Sequence, residues 1–284
     1  MCSPSTILSV TSISGREKLL EKCLRSLANQ KMKESFQIRL YLSEEPYLLD
    51  RGFPGRRLPA DLQRCIEQNG VSVFWVPNTG SYRKFVPVTM ECREKSPSTV
   101  IITCDDDIEY RSDFAAPLRD LCIKHNCVAC HRSYVIPYGD FRCRKSVHRR
   151  LKRSALWVTT GGGVAFQPRH VDHEDFANAS LYTRICPKKD DAWLNWFFRH
   201  KQIDVFSTGK MSAFGRLENP EMSLWVQFNS KSEEESQHTL VMMDISDAVT
   251  GAAKQAWSWW HRPFQRQYGI GTKSIVLTRI GNLK

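Results

Sequence analysis

The stretch STVIITCDDDIEY, residues 98–110, joins an apolar, β-branched run to three consecutive carboxylates. Its first part has the length and residue types of a buried strand, and the acids follow directly at the carboxyl end. Side chains alternate between the two faces of an extended chain, so Asp105 and Asp107 would share one face while Asp106 points away. The like charges of this acid triplet repel one another. The stretch therefore predicts a positive ligand at Asp105 and Asp107, with Asp106 the most dispensable of the three.

The segments before the acid triplet alternate between strand and helix patterns. Apolar β-branched runs indicate strands, and apolar residues at helical spacing indicate helices. The predicted order is strand 5–14, helix 15–30, strand 36–46, helix 60–70, strand 71–77, helix 85–95 and strand 98–104. This alternation predicts an α/β fold with a Rossmann-like, mainly parallel central sheet flanked by helices. Ligands of such sheets bind at the carboxyl ends of the strands, which is where the triplet lies.

Length and composition fit one large domain. The chain has 284 residues, of which 41% are hydrophobic and 25% are charged. No apolar stretch reaches the roughly 20 residues that span a bilayer, and the N-terminal segment MCSPSTILSVTS lacks the basic and apolar regions of a secretory signal. We therefore expect a soluble, cytoplasmic protein whose ten cysteines are mainly free thiols.

The net charge favours anionic partners. Lys and Arg number 41 against 30 Asp and Glu, which gives a formal charge of +11. An excess of this sign suits nucleic acid, nucleotide phosphates or an anionic membrane surface. Part of the excess lies in FRCRKSVHRRLKR, the basic segment 141–153. This segment is either a solvated face or a contact for a phosphate-rich substrate or for the inner face of a membrane.

The acid triplet has the ligand chemistry of a metal site. Carboxylate oxygens are ligands that hard divalent cations such as Mg²⁺ and Mn²⁺ prefer. Such a cation commonly also binds phosphate oxygens and neutralises a diphosphate leaving group. The sequence therefore predicts a divalent cation at the triplet, although acids also cluster in ordinary turns and helix caps.

A second acidic feature is the acid pair, Asp190 and Asp191, in CPKKDDAWLNWFF, residues 186–198. The pair begins a predicted helix whose Trp193 and following apolar residues cover a buried face. An Asp at a helix N-terminus is a common cap. A carboxylate that faces a cleft instead could remove a proton from an attacking hydroxyl as general base.

Three glycines lie between the two acidic features, in LWVTTGGGVAFQP, residues 156–168. Glycine lets the backbone approach a ligand closely, because there is no side chain to obstruct it. The spacing matches neither the GxxxxGK[ST] phosphate loop nor the GxGxxG dinucleotide motif. We interpret the turn, with Gly162 and Gly163, as a floor under a sugar.

The ordered set SVTSISGR, CDDDIEY, TTGGGVAFQP and CPKKDDAWL resembles the GT-A fold nucleotide-sugar glycosyltransferases, close to the family-two inverting enzymes of polysaccharide biosynthesis. The resemblance implies a GT-A domain over residues 1–230, with a donor half at about 1–110 and an acceptor half at about 111–230. Residues 231–284 would form a helical, aromatic extension packed on that domain.

The resemblance also implies roles for single residues on the donor side. The DxD motif of the family matches Asp105 and Asp107, so Asp107 would contact the metal and Asp105 the ribose or the metal's water shell. Asp106 would make at most a secondary donor contact. His261 would complete the metal shell. The further residues expected near the donor nucleotide are Thr11, Ser12, Arg16, Glu44 and Lys84.

On the acceptor side the resemblance assigns the base role to Asp191. The residues expected to contact the acceptor are Gly162, Gly163, Asp190 and Trp193. These assignments predict a metal-dependent inverting glycosyltransferase that moves a sugar from a nucleotide-sugar, with a UDP-sugar favoured, to a glycan or a lipid-linked acceptor. Mn²⁺ or Mg²⁺ would be its cofactor, and no nucleic acid partner is expected.

Two other classes of function stay open at this point. A metal-dependent nuclease or phosphohydrolase would also use clustered carboxylates and a basic surface. A noncatalytic nucleic-acid-binding protein would account for the positive charge through phosphate contacts, but it leaves the ordered acidic motifs unexplained.

One competing motif is CVACH, residues 127–131, which matches the site of covalent haem attachment. With Cys122 and Cys143 nearby, it could also indicate zinc. Haem attachment of this kind requires export, for which the sequence has no signal. We interpret these cysteines as small core residues.

Overall fold

The computed structural model describes residues 5–136, 144–154, 156–210 and 214–216. The helices in these ranges are α1 (Glu17–Ala28), α2 (Ala60–Gln68), α3 (Val86–Lys95), α4 (Ala115–His125), α5 (Ala179–Ile185) and α6 (Asp190–His200). The strands are β1 (Thr6–Thr11), β2 (Phe36–Leu42), β3 (Val71–Trp75), β4 (Val100–Asp105), β5 (Ile108–Tyr110), β6 (Val128–Cys130), β7 (Ser133–Val135), β8 (Lys145–Ser146), β9 (Leu151–Ser154), β10 (Trp157–Val158), β11 (Val164–Phe166), β12 (Asp204–Ser207) and β13 (Phe214–Arg216).

The central sheet has eight strands in the order β3-β2-β1-β4-β11-β6-β12-β9. The strands β3, β2, β1 and β4 run parallel, as do β6 and β12. In contrast, β11 and β9 are antiparallel to their neighbours. The predicted α/β class, with a mainly parallel central sheet flanked by helices, is confirmed. Because β11 runs against β4, the glycine turn that precedes β11 lies at the carboxyl end of β4.

Two hydrophobic clusters cover the two faces of this sheet. Successive residues of β4 contribute to opposite clusters, since Ile101 packs on one face and Ile102 on the other. Helices α1, α2 and α4 cover one face through Leu24, Leu62 and Leu118. Helices α3 and α6 cover the other face through Val88 and Phe197. The strand ends therefore meet at an edge that lies between two helical layers.

The segment after α4 forms two short strands that belong to different sheets. Strand β6 ends at Cys130, and β7 joins a separate three-stranded sheet with β10 and β8. The two ring nitrogens of His131 lie 2.7 Å from Thr208 Oγ1 and 2.9 Å from the carbonyl oxygen of Phe114. Every cysteine in the described ranges is buried, Cys127 included. The interpretation of the CVACH cysteines as core residues is confirmed.

Several predictions fall outside the described residues. The C-terminal extension 231–284, His261 and the predicted domain boundary at residue 230 are among them, as are residues 141–143 of the basic segment. Within the described ranges, none of the helices combines the length and the apolar character needed to cross a bilayer.

Candidate active site

The carboxyl ends of β1 and β4 lie side by side and bring the predicted donor residues to the acid triplet. Thr11, the last residue of β1, pairs in register with Asp105, the last residue of β4. The hydroxyl of Thr11 donates to the carbonyl oxygen of Tyr41 at 2.7 Å, so it ties β1 to β2. The chain then turns at Gly15 into α1, and this turn places Arg16 against the triplet.

Asp106 is buried, but it and Asp107 lie in the turn after β4 and share the guanidinium of Arg16, so the strand alternation expected for the triplet ends at Asp105. Ser12 Oγ donates to Asp106 Oδ2 at 2.5 Å, and Arg16 Nη1 lies 2.9 Å from Asp106 Oδ1. Burial raises the pKa of Asp106 to about 6, although Arg16 opposes the rise. Arg16 Nη2 lies 2.9 Å from Asp107 Oδ2. The side chains of Ser12 and Arg16 thus contact the triplet itself.

The ammonium of Lys84 joins the acid triplet to the acid pair. Lys84 Nζ lies 2.7 Å from Asp105 Oδ1 and 2.9 Å from Asp190 Oδ2, and its side chain is only 4% exposed. Burial opposes the charge of this ammonium, but Asp105, Asp190 and Asp191 outweigh it and raise the pKa of Lys84. In turn, Lys84 outweighs the effect of burial on Asp105 and keeps the pKa of that carboxyl low. The two acidic features of the sequence therefore form one site.

The acid pair occupies the first turn of α6, where the helix dipole favours negative charge. The backbone N–H and the hydroxyl of Thr160 both donate to Asp191 Oδ1 at 2.7 Å. No hydrogen bond from the described residues reaches the second carboxylate oxygen of Asp191. Burial raises the pKa of Asp191 to about 6, and Asp190 adds to the rise, whereas Lys84 and Thr160 oppose it. Asp191 is thus a fixed carboxylate with the proton affinity of a base that works near neutral pH.

The glycine turn packs against charged and aromatic side chains. A Cβ atom at Gly161 would collide with the carboxylate of Asp105, so a larger residue here requires that carboxylate or the turn to move. Gly162 and Gly163 are buried against Arg132 and Phe114 respectively. The prediction that Gly162 and Gly163 form the floor under an acceptor is therefore corrected: they pack inside the protein, and Gly161 is the glycine at the acid triplet.

The prediction that Trp193 contacts an acceptor is also corrected. Its side chain is 2% exposed, and the indole N–H donates to the carbonyl oxygen of Phe176 at 3.1 Å. The ring packs edge-to-face on Tyr182 and Phe197. Trp193 lies three residues after Asp190 on α6, but it faces the core because the helix buries that side against the sheet.

Two residues that the sequence analysis missed hold the acid pair and the triplet in place. Asn195, fully buried on α6, donates to the carbonyl oxygens of Val158 at 2.7 Å and Asp191 at 2.6 Å. These bonds fix the start of α6 to β10, two residues before Thr160. The hydroxyl of Tyr110 accepts from the backbone N–H of Asp105 at 2.8 Å. The spacing of Asn195 from Asp191, one helical turn, is the signal that could have identified it.

The loop after β2 contains two acids with different surroundings, Glu44 and Asp50. Glu44, expected near the nucleotide base, is half-buried and pairs with Arg56 at 2.7 Å. Asp50, in contrast, is buried and pairs with the fully buried Arg83 at 3.0 Å. It also accepts the backbone N–H of Ser14 at 3.0 Å. Asp50 therefore connects this loop to the chain that follows β1, whereas the role of Glu44 stays a prediction.

The donor atoms of the site suit a hard divalent cation. The triplet and the pair supply five carboxylates, which exceed the charges of Arg16 and Lys84 that pair with them. Asp105 and Asp107 offer oxygen ligands of the type that Mg²⁺ and Mn²⁺ prefer. Within the described ranges, no cluster of three His, Cys, Asp or Glu side chains is arranged to hold a metal ion. A cation at Asp105 and Asp107 would thus take further ligands from a bound substrate or water.

Comparison with known proteins gives similarity in overall structure alone. Neither a protein-family model nor a curated protein matches the sequence. Residues 1–349 of TarS from S. aureus, solved in complex with UDP, align with a TM-score of 0.48 and 10% identity over 86% of this chain and 72% of that one. GalNAc-T7 with UDP, GalNAc and Mn²⁺ aligns with a TM-score of 0.49 and 11% identity over 96% of this chain and 53% of that one.

Proposed function

We propose that this chain is a glycosyltransferase that moves a sugar from a nucleotide-sugar to a hydroxyl group of a glycan or a lipid-linked acceptor. The observation that carries the proposal is the convergence of the acid triplet and the acid pair on Lys84. The convergence lies at the carboxyl edge of an α/β sheet, where ligands of such sheets bind. This convergence supports the proposal because carboxylates of the type that bind cations would then lie beside a carboxylate of the type that acts as a base.

The acid triplet would form the donor side of the site. Asp105 and Asp107 would hold Mn²⁺ or Mg²⁺, which when bound would neutralise the charge of the donor diphosphate. Arg16 holds Asp107 at 2.9 Å and thereby orients its carboxylate. Among the nucleotide-sugars, a UDP-sugar is the donor that we favour, and UDP is therefore the first nucleotide to test.

Asp191 would act as the general base. Thr160 holds its Oδ1, so Oδ2 is the oxygen that would accept the proton of the acceptor hydroxyl. The hydroxyl oxygen would form a bond to the anomeric carbon as the bond from that carbon to the diphosphate oxygen breaks. The electron pair of the broken bond leaves with the nucleoside diphosphate. Attack from the face opposite the leaving group inverts the anomeric centre.

The charge of the basic segment would suit an anionic acceptor or an anionic surface. Lys145, Arg149 and Arg150 are exposed on its described part. Strand β9, which follows, forms an edge of the central sheet. Positive side chains on an exposed edge attract phosphate groups, whether these belong to a lipid-linked acceptor or to a membrane.

The experiment that tests this function is a thermal-stability screen with UDP, GDP, CMP and dTDP, each with and without Mn²⁺. A ligand that binds only the folded state at about 100 times its dissociation constant stabilises it by about 2.7 kcal/mol. We expect one nucleotide and Mn²⁺ together to raise the melting temperature more than either does alone. Sugars of that nucleotide would then be offered with acceptors, and the products identified.

Two results would count against the proposal. One is the absence of any response to the four nucleotides with Mn²⁺. The other is stabilisation by DNA or RNA oligonucleotides combined with their cleavage, which would identify a metal-dependent nuclease. Release of the nucleotide together with a sugar joined to an acceptor would support glycosyl transfer.

A further inference from the structure

The Lys84 ammonium is shared by two carboxylates from different parts of the chain. Asp105 ends β4, Asp190 begins α6, and Lys84 lies in the short turn that precedes α3. The distances to the two carboxylates are 2.7 and 2.9 Å, and the lysine side chain is 4% exposed. A buried ammonium depends on its carboxylate partners because water no longer solvates it.

We propose that Lys84 is a positioning residue that couples nucleotide binding at the acid triplet to the acid pair. The inference rests on the proposed function, because it takes the triplet as the donor side and the pair as the acceptor side. Nothing in the coupling requires Lys84 to touch the donor or the acceptor.

The physical reason is that Lys84 and a bound donor or cation compete for the carboxylate of Asp105. A donor or a cation that engages Asp105 competes with Lys84 for that carboxylate, and the ammonium then pairs more fully with Asp190. Conversely, loss of the Asp190 carboxylate leaves the Lys84 ammonium on Asp105, where it competes more strongly with the donor and its cation. Coupling between two sites is reciprocal. If nucleotide binding changes the interaction of Lys84 with the acid pair, a change in the acid pair must also change the affinity for the nucleotide.

The acid pair contains its own matched control. Asp190 and Asp191 are adjacent on α6, and replacement of either by Asn removes one negative charge from the same helix turn. Of these two residues, Asp190 alone has a described ion pair with Lys84, at 2.9 Å. The Oδ1 of Asp191 accepts from Thr160 instead. If the coupling runs through Lys84, the two variants should differ in nucleotide affinity. If only the loss of a negative charge matters, they should have the same affinity.

The test is the affinity for UDP of the full chain, measured by calorimetry with Mn²⁺ present. We expect Asp190→Asn to lower UDP affinity about fivefold or more, and Asp191→Asn to change it by less than about twofold. In a Lys84→Met background, Asp190→Asn should have no larger effect than Asp191→Asn. Thermal melting of each variant verifies that it is folded.

Equal effects of the two Asn variants would overturn the coupling, as would an Asp190→Asn effect that persists with Lys84→Met. If Lys84→Met does not fold, the comparison of Asp190→Asn with Asp191→Asn in the native background decides the question. The nucleotide is replaced by whichever one stabilises the chain most in the thermal screen. A chain that binds none of the nucleotides overturns the proposed function too, whereas binding without the difference overturns the coupling alone.

Discussion

The Nζ atom of Lys84 lies 2.9 Å from Oδ2 of Asp190, the first residue of α6. This ion pair fixes the turn before α3 to the N-terminus of a helix that begins far later in the sequence. Both side chains are largely buried, and removal of one partner from such a pair typically costs about 3–5 kcal/mol. The site is therefore pre-organised by the same contacts that hold the start of α6 and the end of β4 to the turn before α3.

Replacement of Asp191 by Asn should abolish most turnover while the fold and nucleotide binding are kept. Asn has nearly the same shape and can still accept from Thr160, but it cannot take up a proton. General-base catalysis contributes about 10²- to 10⁴-fold, so we expect kcat to fall by a factor in that range. The measurement is steady-state transfer with the donor found in the nucleotide screen.

Asp61→Asn is the matched control for that variant. Asp61 lies on α2 with its side chain 73% exposed, and it pairs with Arg64 on the surface. Its replacement should leave kcat within about twofold of the wild type, because exposed ion pairs contribute little. A wild-type rate for folded Asp191→Asn would exclude Asp191 as the base.

The rate should depend on pH through the carboxyl group of Asp191. Its pKa is raised to about 6, chiefly by burial, and only the ionised form accepts a proton. Activity is therefore lost as the pH falls below about 6 and is fully present above it. In Thr160→Val the hydroxyl that donates at 2.7 Å to Asp191 Oδ1 is removed. Since that bond stabilises the ionised form, its loss should move the rising limb of the kcat/KM profile to higher pH.

Thr183→Val, a change on α5 whose hydroxyl donates to the carbonyl oxygen of Ala179, is the control. Its pH profile should coincide with that of the wild type. If Thr160→Val leaves the rising limb where it is, the limb belongs to a group other than Asp191.

The local parts of this site could be predicted from the sequence, because they follow from short patterns. The continuous apolar, β-branched run before Asp105 identifies a buried strand and places its acids at the ligand edge. The start of a helix at Asp190 follows from the acids and the apolar spacing after them. In each case the relevant contacts lie within a few residues of one another.

The contacts between distant segments could not be predicted in this way. The resemblance places Lys84 near the donor, but no pattern in the sequence pairs it with Asp190 of α6. The helical pattern shows that Trp193 has an apolar environment, but not whether a core or a ligand provides it. Likewise, three adjacent glycines do not reveal that Gly161 contacts Asp105 while its neighbours pack on Arg132 and Phe114.

Gly161→Ala should damage the donor side specifically. A Cβ atom there collides with the carboxylate of Asp105, so the turn or the carboxylate has to move. Overpacking of this kind typically costs about 1–3 kcal/mol, and we expect the free energy of unfolding to fall by that amount. The displaced Asp105 should also weaken UDP binding in the presence of Mn²⁺, which calorimetry would measure.

Gly70→Ala is the control that distinguishes a general loss of stability from the displacement of Asp105. Gly70 has a φ of +62°, so alanine is strained there, but open space surrounds the position. Stability should fall by about 1–2 kcal/mol, with UDP affinity unchanged. An equal loss of UDP affinity in both variants would show that general destabilisation, and not the position of Asp105, is responsible.

Alanine replacements of Asp106 and Asp107 should affect the stability of the fold and the binding of the ligand to different extents. The alternation along the strand predicts Asp106 to be the most dispensable acid for the ligand, yet its buried carboxylate pairs with Arg16 at 2.9 Å and accepts from Ser12. Asp106→Ala leaves the Arg16 guanidinium buried without this partner, so the free energy of unfolding should fall by about 3–5 kcal/mol. Asp107→Ala should lower it less, because Asp107 is more exposed, with 15% of its side chain accessible. Calorimetry should show the opposite order, with the larger loss of Mn²⁺-dependent UDP affinity in Asp107→Ala. If the same variant loses more in both measurements, Asp106 and Asp107 do not have the separate roles in stability and ligand binding that we expect.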